Sequence, residues 1–258
     1  MDMPDEPKVL QIDPVTIYLK IFHILIQKFI GMRYRHLYPP TFRNIYDTQL
    51  PTVPYDTYLV GEELASYSTK FDILDDEMIL MPIMTEIRFY PNRVRHFLMH
   101  EFRLEEGEGY HIALAITVHA IIHELFHHYD NTCMWGQYQE RMCDNAENAE
   151  ERKAAFNSYR KFVMEGMESA EIEYIVEGRT IDVFSDIWMA LGPWPTKEFA
   201  GLMCEYFEAC EIYAQFSNKD CEEAKMAERA VYNLIDALHN LAKEKMPSYT
   251  FTEKEDDE

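Results

Sequence analysis

The chain is expected to fold as a mainly helical α+β protein, on three observations. From about residue 146 onward, apolar side chains recur at helical spacing almost without interruption. Residues 77–104 instead carry short β-favouring runs, with clear alternation through Glu86-Ile87-Arg88-Phe89-Tyr90. Between these regions lies one long apolar segment with the periodicity of a buried helix.

Taken in order, Asp13-Pro14 reads as a helix start, with Asp at the N-cap and Pro at the first helical position. That helix should run to about Gly31, whose place past the last apolar turn suits a C-terminal cap. Residues 36–60, with Pro39, Pro40, Pro51 and Pro54, read as a loop region, and a short helix is expected over 62–71. Strands are expected at 78–81, 86–90 and 96–104, followed by a turn at Glu105-Glu106-Gly107-Glu108-Gly109. A helix over about 110–130 follows, then helices at 146–164, 168–191, 196–216 and 220–245. Leu191-Gly192-Pro193 is a helix stop, and residues 217–220 are a short helix connection. Residues 1–247 are thus expected to form a single domain: an N-terminal helix and small sheet to about 109, then the helix at 110–130 and the helical half at 146–245. The acidic residues 248–258, ending EKEDDE, are expected to be a disordered tail.

At 258 residues, 47% hydrophobic and 14% aromatic, the chain can bury a sizeable core. Its 24 basic and 46 acidic residues leave a net charge of −22, which repels nucleic-acid phosphate and anionic membranes. Neither nucleic acid nor membrane is therefore expected as a partner. Residues 15–32 are apolar but interrupted by Lys20, His23, Gln27 and Lys28, so they read as a buried amphipathic helix. MDMPDEPKVL has neither a basic nor an apolar signal region, and the five cysteines form no C-x-x-C pair. Reduced thiols in a cytoplasmic protein are expected. The oligomeric state is not read from the sequence.

The segment with the most chemistry is His123-Glu124-Leu125-Phe126-His127. On a helix, residues four apart share a face, so His123 and His127 can direct two imidazoles at one metal ion. Glu124 is placed to take a proton from water without being a ligand itself. Ile112, Ile116, Ile121, Ile122, Leu125 and Phe126 set the motif in a core-facing helix, where unpaired polar groups are costly.

This segment resembles the active-site helix of the zincin metallopeptidases, which carries H-E-x-x-H after a small sheet. The resemblance implies a zinc peptidase of α+β fold, with one Zn2+ per chain and a peptide or protein substrate. His123 and His127 would then be zinc ligands and Glu124 the general base. A catalytic zinc keeps three protein ligands and one open position. The metzincin continuation H-x-x-G-x-x-H is absent, because His128-Tyr129-Asp130-Asn131-Thr132-Cys133 follows.

Zincins of the gluzincin type take a glutamate from a later helix. Glu177-Gly178 after Ile175-Val176 resembles their apolar-x-E-G step, so Glu177 is the expected third ligand, with the glycine allowing close helix approach. Glu173 is the main rival, since Glu177 would then stand one turn on as its supporting partner. Glu171 and Glu168 come after it. The E-x-x-x-D spacing is not met from Glu177, Asp182 being five residues on. His119, His123 and His127 form a stripe; His119 is expected to pack under the sheet with a backbone partner, and His128 to point away from the metal. Tyr174, Arg179, Tyr206, Tyr213 and His239 are candidates for stabilising an oxyanion.

Two other readings compete. Glu124-Leu125-Phe126-His127 is also an E-x-x-H step of the sort found in carboxylate-bridged di-iron bundles, with Asp236-Ala237-Leu238-His239 as the nearest second step. The charge also suits a binding protein on a zincin scaffold, or an acidic decoy for a basic surface.

Overall fold

The computed structural model of the chain describes residues 9–30, 39–46, 64–74, 79–143, 148–166, 170–192, 197–216, 221–243 and 247–252. Helix α1 (Pro14–Leu25) opens as Asp13-Pro14 implies. Asp13 Oδ1 accepts from the backbone N–H groups of Val15 (3.1 Å) and Thr16 (3.3 Å), and Oδ2 accepts from the Thr16 hydroxyl at 2.6 Å. Pro14, Tyr18, Ile21 and Leu25 form its buried stripe. The helix passes into a single π-helical turn over Ile26–Ile30. Gly31, the loop prolines 51 and 54, Pro193 and the 217–220 connection lie outside the described residues.

The strands depart from the sequence reading in five places. Strand β1 (Val9–Ile12) was not foreseen, nor was β2 (Thr41–Asn44). Of the residues expected as a helix over 62–71, those from 65 on belong instead to β3 (Ala65–Leu74), antiparallel to β4 (Ile79–Phe89) with Ala65 opposite Phe89. Ser66, Tyr67, Ser68 and Thr69 are weak helix formers, and a ten-residue ladder outweighs their faint periodicity. The expected strand at 96–104 is mostly helix α2 (Pro91–Glu101). Pro91 starts it, and Val94, Phe97, Leu98 and Glu101 are buried at a spacing only a helix gives.

The fifth departure is the tail. Residues 248–251 form strand β5 (Ser248–Phe251), parallel to β1, with Tyr249 and Phe251 buried. Alternating aromatic residues on one face of a strand bury more apolar area than a solvated tail would leave exposed. Strand β5 also fastens the turn ahead of the next helix: Tyr249 N–H donates to the Gly107 carbonyl (2.7 Å) and Tyr110 N–H to the Pro247 carbonyl (3.3 Å). That turn depends on Gly109, at φ +80°, where a Cβ would lie 2.5 Å from Leu104 Cδ1.

The second sheet has strand order β2-β4-β3, β2 running parallel to β4. In β4 the alternation buries Ile87 and Phe89 on one side. Glu86 is also buried, held by Arg43 Nε at 3.0 Å and Arg88 Nε at 2.8 Å.

Helix α3 (Tyr110–Cys143) is the axis of the fold and runs well past the expected end at 130. Its first half is buried on nearly every side, and it packs against α1, α2, β3 and β4. The helical half matches the sequence closely: α4 (Ala149–Lys161) with a π-helical turn to Gly166, α5 (Ala170–Leu191), α6 (Lys197–Phe216) and α7 (Glu222–Lys243). Helices α4, α5 and α7 also touch α3, so the molecule is a mainly helical α+β fold. Among the described residues, no helix is long and apolar enough to cross a membrane.

One consequence of this burial is measurable. His111, at the start of α3, is 6% exposed, and burial pulls its pKa down to about 4. The unfolded chain, titrating near the ordinary 6.5, binds a proton that the folded state refuses, so His111 lowers stability as pH falls from 6.5 towards 4. The loss from this one group by pH 5 is on the order of 2 kcal/mol. Denaturant melts at pH 7 and pH 5 should show His111→Leu losing less stability across that interval than the unaltered protein.

Candidate metal centre

Helix α3 supplies His123 and His127 from successive turns of one face, and α5 faces them with Glu173 and Glu177. The three closest groups are His123 Nε2, His127 Nε2 and the Glu173 carboxylate. The two nitrogens are 3.1 Å apart; His123 Nε2 lies 3.1 Å from Glu173 Oε2, and His127 Nε2 lies 3.3 Å from Glu173 Oε1. Ligands bound tetrahedrally at the zinc–nitrogen and zinc–oxygen distances of about 2.0–2.1 Å stand roughly 3.3 Å from one another. The observed separations are close to that figure. Among the described residues these three form the group whose donor atoms all lie within 4.8 Å of each other. Glu173 remains 47% exposed while His127 is 9% exposed, so the cluster is walled on the α3 side and open along α5.

Glu177 is not in this triad, contrary to the expectation that it would be the third ligand. Its carboxylate reaches the other nitrogen of His123: Nδ1–H donates to Oε2 at 3.0 Å, and His119 Nε2–H donates to Oε1 at 2.8 Å. The reason is positional. Glu173 lies one α5 turn before Glu177, level with the gap between His123 and His127, while Glu177 is level with His119 and His123. The helix-approach role expected for Gly178 is corrected too, since a Cβ built there meets nothing within 4 Å. His119 has a carboxylate partner where a backbone one was expected, and its ring stacks on Phe207 of α6 at 3.8 Å.

No known family matches the chain, and neither does any curated protein or solved structure.

The charges around the centre are tightly coupled. Burial would lower the His123 pKa, but its hydrogen bonds to Glu173 and Glu177 and the field of Glu124 lift it to about 10. Burial would raise Glu173, yet the two histidines hold it down at about 2; Glu177 is held well below the carboxylate range by His119 and His123. Glu124 moves the other way. Burial raises its pKa, a tendency offset in part by His123, His127 and a hydrogen bond from the Tyr67 backbone N–H.

Tyr67 carries a role the sequence reading missed, because its segment was read as a helix. Asn131 Nδ2 donates to the Tyr67 hydroxyl oxygen (2.9 Å) and to Thr69 Oγ1 (3.2 Å), and Thr69 Oγ1 donates to the same tyrosine oxygen at 2.6 Å. The Tyr67 hydroxyl is left to donate to His128 Nδ1 at 3.3 Å. His128 does point away from the triad, as expected, and this network pins strand β3 to the helix turn after the motif. Alternating Ser66-Tyr67-Ser68-Thr69 was the signal that a strand reading would have used.

Of the oxyanion candidates, Arg179 is engaged with both oxygens of Asp130 at 2.7 and 2.8 Å. Tyr206 is buried against Phe102 and Phe207. Asp236 and His239, the second step of the di-iron reading, are not members of the donor group.

Proposed function

We propose that the chain is a zinc-dependent metallohydrolase that cleaves peptide bonds, with His123, His127 and Glu173 holding the metal and Glu124 acting as general base. The observation that carries this reading is the ligand-like spacing of two Nε2 atoms and one carboxylate beside a buried glutamate. Two nitrogens and one oxygen suit zinc, and three donors with an open side fit a catalytic site better than a closed structural one. Glu177 takes the supporting role: it accepts the Nδ1–H of His123, so Nε2 is the nitrogen that would coordinate once a metal displaces its proton.

Zinc held by this donor set would supply a Lewis acid that acidifies water and polarises a carbonyl. The remaining work falls to this chain's own groups. Glu124 accepts a proton from water at its carboxylate and returns it to the departing amine nitrogen. Burial raises its pKa, which favours uptake of the proton, and the Tyr67 N–H helps set where the carboxylate points. An intracellular setting accords with Cys133, Cys204, Cys210 and Cys221 forming no disulfide among the described residues.

The full chain, loaded with one equivalent of zinc and incubated with a library of unstructured peptides, should cleave them. Chelation should stop the reaction and added zinc should restore it, as followed by mass spectrometry. Protein that binds one zinc and leaves every library peptide intact would overturn the enzyme reading.

A further inference from the structure

We infer that His119 is a positioning residue for the metal centre, acting through Glu177 on His123. The inference rests on the metal-site reading above and extends it by one layer. Three observations support it, all geometric. His119 lies one helical turn before His123 on the same face of α3, and both rings reach the one carboxylate of Glu177. Each carboxylate oxygen has its own imidazole donor: Oε1 takes His119 Nε2–H at 2.8 Å and Oε2 takes His123 Nδ1–H at 3.0 Å. The His119 ring is itself held, stacked on Phe207 at 3.8 Å with the planes 25° apart.

This arrangement answers a problem that Glu177 would otherwise have. A carboxylate on a flexible three-torsion side chain can swing, and only one of its orientations accepts the Nδ1–H of His123. A second donor on the opposite oxygen removes that freedom, because turning the carboxylate breaks two charge-assisted hydrogen bonds together. His123 then keeps its proton on Nδ1 and presents Nε2 to His127 and Glu173. Phe207 gives the relay a rigid outer wall and ties it to α6, an element that contributes no donor to the triad.

The hydrogen bond and the ring packing of His119 can be separated by two substitutions. His119→Phe keeps a ring over Phe207 and loses the donor; His119→Gln keeps an N–H donor and loses the stack. Zinc dissociation constants, read by competition with a chromophoric chelator on the full chain, should be about tenfold weaker for His119→Phe. His119→Gln should stay within about threefold of the unaltered protein. In the zinc-loaded forms, the downfield Nδ1–H proton resonance of His123 should persist in His119→Gln and exchange faster in His119→Phe. Unchanged affinity in His119→Phe overturns the proposal, as does a His119→Gln variant as weak as His119→Phe. Absence of zinc binding by the unaltered chain would defeat the metal-site reading itself, and this proposal with it. The same titration therefore tells the two failures apart.

Discussion

On the proposed reading, replacing Glu124 by glutamine should remove hydrolysis and leave zinc binding intact. The substitution changes one oxygen for an amide nitrogen and keeps the side-chain volume, so the 9% exposed site should not repack. The amide oxygen can still accept the Tyr67 N–H. What disappears is the ability to take up and return a proton, an effect worth roughly 10²–10⁴-fold in rate. Steady-state cleavage of a library-derived peptide should show kcat falling by that factor with little change in KM, while metal analysis still finds one zinc per chain. A Glu124→Gln protein that cleaves at the original rate would remove Glu124 from the mechanism. One that loses its zinc would make Glu124 part of the metal's support.

The second large effect separates two glutamates that the sequence treats almost alike. Glu173→Ala removes one of three donors and should abolish stoichiometric zinc retention after gel filtration. Glu177→Ala leaves the triad in place and removes the partner of His123 Nδ1, so zinc should bind with affinity weakened roughly 10–100-fold. The contrast is the test: stoichiometric zinc in Glu173→Ala beside zinc loss in Glu177→Ala would return the ligand role to Glu177.

Much of this was legible in the sequence, for reasons that differ from place to place. Asp13-Pro14 is a local signal, its cap bonds spanning three residues at most, so it is read directly. The four C-terminal helices were legible because helical periodicity repeats over many residues. His123, Glu124 and His127 sit within one turn and a half of helix, where spacing alone sets direction. The strand β3 was not legible, since its stability comes from β4 and not from its own residues. The placing of Glu177 beside His123 Nδ1, outside the donor group, was not legible for a related reason. Glu173 and Glu177 share one face of α5, and only the vertical offset between α5 and α3 decides which of them meets Nε2 and which meets Nδ1. That offset is a tertiary quantity set by packing, and the Glu-Gly dipeptide carried no information about it.

The pairing of β1 with β5 has a consequence for how the molecule comes together. Thr252 and Ile12 meet across 240 residues of chain, and the same strand holds the turn from which α3 departs. Closing a flexible loop of that length costs about 2.5 kcal/mol more entropy than closing one of 15 residues. Such a contact is a poor place to begin folding and a natural place to finish, once the helices have already drawn the intervening chain together. The first turn of α3 thus gains its outer brace last, and assembly of the His123, His127 and Glu173 cluster is tied to completion of the whole fold and not to the local stability of its motif.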